Sequence, residues 1–204
     1  MSLNASVKLV VFVACLVTLA ACAPPQAARP PDAAGRRLPI NFSTIMDTGV
    51  PLGLFGQVCI ANAGNPPAIE AELRRLEFRP LAPTAAAPYL MGTAGTAWMQ
   101  PDDATGPVLL AAVVTRPSEV FCNVVSPIAV PALAALGFRR RMQELAATAT
   151  VVLEREGRTS LADRPGVHLV YRVTQPGGTY RYSLSAHDPV PGRVAMAIFA
   201  QRVD

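Results

Sequence analysis

Val167-His168-Leu169-Val170-Tyr171-Arg172-Val173-Thr174, then Gln175-Pro176-Gly177-Gly178, then Thr179-Tyr180-Arg181-Tyr182-Ser183-Leu184-Ser185-Ala186. Two β-branched and aromatic runs flank a Pro-Gly-Gly turn, which reads as a β-hairpin. In the second run Tyr180, Tyr182 and Leu184 alternate with Arg181 and Ser183. Side chains alternate across a strand, so this pattern predicts one buried face and one wet face. Downstream, Asp188-Pro189-Val190-Pro191-Gly192 is a second turn and Arg193 to Arg202 a further strand. Upstream, Thr148 to Glu154 is another, and these four closing strands predict an antiparallel meander.

Further towards the N-terminus, Val108 to Thr115 is a continuous aliphatic run, as a buried strand requires, and Glu119 to Val125 reads as its hairpin partner across Arg116-Pro117-Ser118. Thr96 to Gln100, with Trp98, is a shorter strand. Trp98 is expected in the core with one polar edge. Asn65-Pro66 is a helix start, because Asn caps and the missing proline N–H costs nothing at the first turn. Ile69, Leu73 and Leu76 then share one helical face, and Glu70 sits four residues before Arg74. Ser126-Pro127 repeats the pattern, predicting a short helix to Leu136 that stops at Gly137. Leu54 to Ile60 suits a strand or a helical turn, and the small residues, prolines and glycines of Ala82 to Gly95 predict a loop. Together these predict an α+β domain: a mostly antiparallel sheet, two short helices on one face, and a C-terminal strand meander. An internal repeat is also expected, with Cys59 leading through a helix to Phe78-Arg79 and Cys122 through another to Phe138-Arg139.

The first residues are of a different kind. Met1 to Lys8 is polar with one cation, Leu9 to Ala21 is apolar, and Cys22-Ala23-Pro24-Pro25 follows. This is the anatomy of an export signal, and the apolar run is shorter than the ~20 residues a membrane-spanning helix needs. Leu19-Ala20-Ala21-Cys22 resembles the lipobox of bacterial lipoprotein precursors. The resemblance implies removal of residues 1–21 and thioether acylation of Cys22, which anchors the protein to the lipid bilayer. More than one acyl chain is implied, since a single chain holds a protein only marginally. Ala23 after the cysteine implies an outer-membrane location facing the periplasm. Val58-Cys59 and Phe121-Cys122-Asn123-Val124 are similar to segments of small uncharacterised bacterial lipoproteins, a likeness that carries no activity.

The expected organisation is therefore a signal peptide over 1–21, a Pro-, Ala- and Arg-rich tether over 22–39, and one domain over 40–204. Lys8 is the only lysine and leaves with the signal; every remaining cation is arginine, against 14 acids. So small a positive balance suits a solvated surface near an anionic envelope. It carries no basic stripe with interleaved aromatics, so nucleic acid is not an expected partner. Export leads to an oxidising compartment, where Cys59 and Cys122 read as a disulfide, with two separate buried thiols the alternative. Such a bridge would close a loop of about 60 residues, for which chain entropy gives roughly 4 kcal/mol.

No phosphate loop, Gly-x-Ser-x-Gly elbow or metal-ligand run is present, and neither His168 nor His187 has a Cys or His at metal-ligand spacing. Neither a metal nor a cofactor is expected. His187-Asp188 beside Ser183 and Ser185 suggests a hydrolytic site, but a strand end followed by a proline turn is the plainer account. Asp102-Asp103 reads as a solvated turn. Arg139, Arg140 and Arg141 are the densest charge and a candidate anion-binding cluster, since guanidinium forks suit phosphate and carboxylate. The expectation is thus a non-enzymatic, membrane-anchored envelope lipoprotein that binds a protein or peptidoglycan, with an envelope hydrolase using His187 as the alternative.

Overall fold

The computed structural model describes residues 42–90, 94–100, 110–116, 119–191 and 193–203, of which 42–47, 110–116 and 119 are described by their backbone alone. The expected signal peptide, Cys22, the tether and the Asp102-Asp103 turn lie outside the described residues.

The alternating run of Tyr180 to Ala186 is an interior strand of the eight-stranded sheet that the described residues form. The strands are β1 (Arg79–Pro80), β2 (Gly95–Met99), β3 (Leu110–Arg116), β4 (Glu119–Ser126), β5 (Thr150–Leu161), β6 (Arg164–Gln175), β7 (Gly178–His187) and β8 (Met196–Arg202). Their order is β1-β2-β3-β4-β8-β7-β6-β5, and every neighbouring pair is antiparallel. Two four-strand meanders therefore meet through their last strands, β4 against β8. The C-terminal meander and the α+β class stand as read from the sequence. Two-residue turns set the register: Ala162 and Asp163 both take positive φ (48° and 63°), the conformation that matches hairpin twist, and between β6 and β7 the turn is Pro176-Gly177, with Gly177 alone at positive φ (101°).

Among the described residues four α-helices accompany the sheet, not two. Helix α1 (Phe42–Phe55) continues into a π-helical turn, Gly56–Ile60; α2 is Pro66–Arg75, α3 Pro83–Leu90 and α4 Pro131–Leu145. In α2, Asn65 caps as expected, its side chain accepting from the Ala68 N–H at 3.2 Å. Helix α1 was not legible because Gly49, Pro51 and Gly53 lie within it. Packing overrides their poor propensity: Leu52, Leu54 and Phe55 are buried in the main core. Helix α3 replaces the expected loop. It carries Pro83 in its first turn and three consecutive alanines, strong helix formers, before Pro88.

Helix α4 runs straight through Gly137, the expected stop. A Cβ there would lie 2.7 Å from Leu52 Cδ1, so this glycine admits α1 against α4 and is no C-terminal signal. The aromatic contacts agree: Phe55 packs on Phe138 at 6.2 Å and edge-on to Tyr182 at 5.9 Å, and Phe138 meets Tyr171 at 5.8 Å between ring centroids. Helices α1, α2 and α4 thus cover the sheet face that carries Trp98, Val124, Leu169, Tyr171, Tyr182, Leu184 and Ile198. Helix α3 does not join them. Its Ala86 forms a separate cluster with Ala97, flanked by Leu81, Tyr89 and Leu90. Ala97 and Trp98 are successive on β2 and point to opposite faces, so α3 lies on the other side of the sheet.

Strand β5 is twelve residues long, outrunning the expected end at Glu154. The charges Glu154, Arg155, Glu156 and Arg158 hide it in the sequence, and they are tolerated because β5 is an edge strand with nearly every side chain exposed. The expected repeat is not present in the fold: Cys59 sits in the π-helical turn and Cys122 in β4, while Phe78 precedes β1 and Phe138 is inside α4.

Candidate functional site

The two domain cysteines are joined. The π-helical turn, closed by the Ala61 N–H to the Gly56 carbonyl at 3.1 Å, buries Val58, Cys59 and Ile60 together. That widened turn delivers Cys59 to Cys122 with 5.5 Å between Cα atoms, inside the usual range for a bridge. The disulfide is buried at both ends and staples the helical layer to β4, one of the two seam strands.

The three arginines sit on α4 and do not meet over one point, because successive helical residues project about 100° apart. Arg139 turns towards the sheet edge and pairs with Glu156 of β5. It also approaches the Tyr171 hydroxyl, whose pKa is raised chiefly by burial. Arg140 is 81% exposed and lies 3.4 Å from Glu144, which also receives Arg141 at 2.9 Å. Each guanidinium is paired with a carboxylate of this chain.

His187 closes β7 and is buried. Its Nδ1 lies 3.3 Å from the Arg164 carbonyl oxygen, and the ring occupies the space beside Gly166, where a Cβ would come within 2.4 Å of it. Arg164 is itself buried and donates to the carbonyls of Leu161 (3.4 Å), Asp188 (3.4 Å) and Val194 (3.0 Å). This corner ties the β5–β6 turn to the β7–β8 connection. Neither Ser183 nor Ser185 is a partner of His187.

Ser185 is instead opposite His168, with Oγ 2.9 Å from Nδ1. Desolvation lowers the His168 pKa, helped by the Arg155 charge and by His187, while a backbone hydrogen bond to Leu184 acts the other way. The surroundings therefore favour the neutral imidazole. A serine against a neutral imidazole is the contact from which nucleophiles are activated. Here the ring is oriented by a backbone group and not by a carboxylate, and Ser185 stands mid-strand. The pair fixes β6 against β7. Sequence reading missed it, although counting back from the Pro176-Gly177 turn sets His168 across from Ser185.

Beside this pair, Arg172 and Arg181 converge on Glu154 of β5; the Arg181 Nε contact is 3.0 Å. Desolvation pushes the Glu154 carboxyl up, but the Arg181 hydrogen bond and both guanidinium charges outweigh it and hold the pKa below the usual range. Trp98 is buried on β2 as expected of a core residue, with the Arg74 guanidinium 5.0 Å from its ring centroid, but the expected polar edge is not found: among the described residues its Nε1 has no hydrogen-bond partner. Among the described residues no three His, Cys, Asp or Glu side chains group as metal ligands, and no helix is long and apolar enough to cross a membrane.

Comparison with protein-family models, with curated proteins and with solved structures returned no match.

Proposed function

We propose that the chain is a lipid-anchored protein of the cell envelope. Cys22 carries the acyl chains, and the domain that follows serves as a non-enzymatic binding or structural module, at the outer membrane facing the periplasm. The observation that carries this reading is the buried Cys59–Cys122 disulfide. Such bridges belong to oxidising compartments, and the export signature with its lipobox-like Leu19-Ala20-Ala21-Cys22 leads to one. Its partner is an envelope protein or peptidoglycan. His187 supports this reading over a hydrolase, because its ring is spent on the Arg164 carbonyl inside the fold.

The test is the intact mass of protein extracted from membranes, with alkylation before and after reduction. The expected species begins at Cys22, carries acyl chains, and exposes two further thiols only after reduction. Cys22→Ser should abolish acylation and release the chain from the membrane fraction. An unacylated, freely soluble wild-type species would overturn the proposal.

A further inference from the structure

The two ends of the sheet are unlike. One ends in β1, two residues long and half proline, which offers almost no backbone to a neighbour. The other ends in β5, twelve residues long, whose one strand neighbour among the described residues is β6. Seven large apolar side chains are exposed among the described residues, and three belong to this edge: Val152 (52%), Leu153 (46%) and Leu161 (53%). A register shift between Leu153 and Arg155 interrupts the strand, and from Arg155 to Leu161 it is regular.

We infer that β5 pairs antiparallel with β5 of a second copy of this chain, about a two-fold axis through Gly157. The occupant follows from charge. In that register Glu156 of each copy stands directly opposite Arg158 of the other, on the face that carries α4, so two ion pairs form by symmetry. Opposite charges across an antiparallel pair stabilise it and like charges oppose it. Arg155 then faces Thr159 on the other side of the sheet. Gly157 places no side chain at the axis, and a Cβ there would meet nothing within 4 Å. Because β1 closes the far end, pairing stops at two copies: the contact is isologous and generates a closed dimer, not a fibre.

Full-length protein in detergent, sized by light scattering with the protein mass resolved, tests this. Wild type is expected at two chains per particle. Gly157→Cys, oxidised, should yield a covalent dimer, whereas Leu136→Cys, exposed on α4, should not. Arg158→Glu and Glu156→Arg should each weaken dimerisation by about tenfold, since each sets like charges opposite in its own dimer. Mixed together they should restore it, because the heterodimer regains both opposite-charge pairs. Circular dichroism of each variant separates loss of pairing from loss of fold, and the mixing result cannot come from misfolded chains. A wild-type particle of one chain with no Gly157→Cys cross-link above the Leu136→Cys level would overturn the inference, leaving the edge to a strand of another protein. So would a dimer that does not cross-link at residue 157, or one indifferent to both charge reversals.

Discussion

At the residue scale the most informative side chains are those whose roles differ from their local appearance. Gly137 looks like a helix stop and is a contact point between helices. The atom it meets, Leu52 Cδ1, is the far end of a flexible side chain. Gly137→Ala should therefore be close to neutral, the shift of Leu52 being offset by up to about 1 kcal/mol of helix propensity. Gly137→Leu should destabilise by about 1–3 kcal/mol through overpacking. Urea midpoints for the two variants check this, and equal losses would contradict the close approach. His168 makes a pH prediction. Its folded pKa lies below its unfolded one, near 6.5, so the unfolded chain takes up a proton that the fold resists. Stability from this group is present above pH 6.5 and is lost as pH falls below it. His168→Gln should flatten the dependence of the urea midpoint on pH between 5 and 7; an unchanged slope would remove His168 as its source.

At the scale of elements, strands were legible and helices less so. Alternation and turn chemistry are local, so β6, β7 and the turn between them follow from their own residues. Helix α2 carries its own cap and stripe of Ile69 and Leu73. In helix α1 the glycines and the proline argue against a helix. It forms because its apolar face is buried against α4 and β7, and because the π-helical turn is held by a bridge to β4. Strand β5 is the converse case, a long strand whose charges conceal it because one edge and most side chains face water.

At the scale of the molecule, the β4–β8 seam joins two meanders under a common helical layer. The core runs across that seam: Phe55, from the N-terminal half, packs on Tyr182 of the C-terminal meander. The two halves should therefore unfold as one unit. Trp98, the single tryptophan, reports on β2, while Tyr171, Tyr180 and Tyr182 report on β6 and β7. Tryptophan fluorescence and near-ultraviolet tyrosine circular dichroism should give coincident urea transitions, and separated midpoints would show that the meanders are independent.

The sequence by itself determined the antiparallel C-terminal meander, the capped α2 and the cysteine pair that oxidising conditions would join. Each depends on neighbours within a few residues or on composition. Only the tertiary structure decided the β4–β8 seam, the helical state of 42–60, the passage of α4 through Gly137, and the partners of His187 and of the three arginines. These depend on which surfaces meet across the fold, and burial energy gained there outweighs the local preferences a sequence displays.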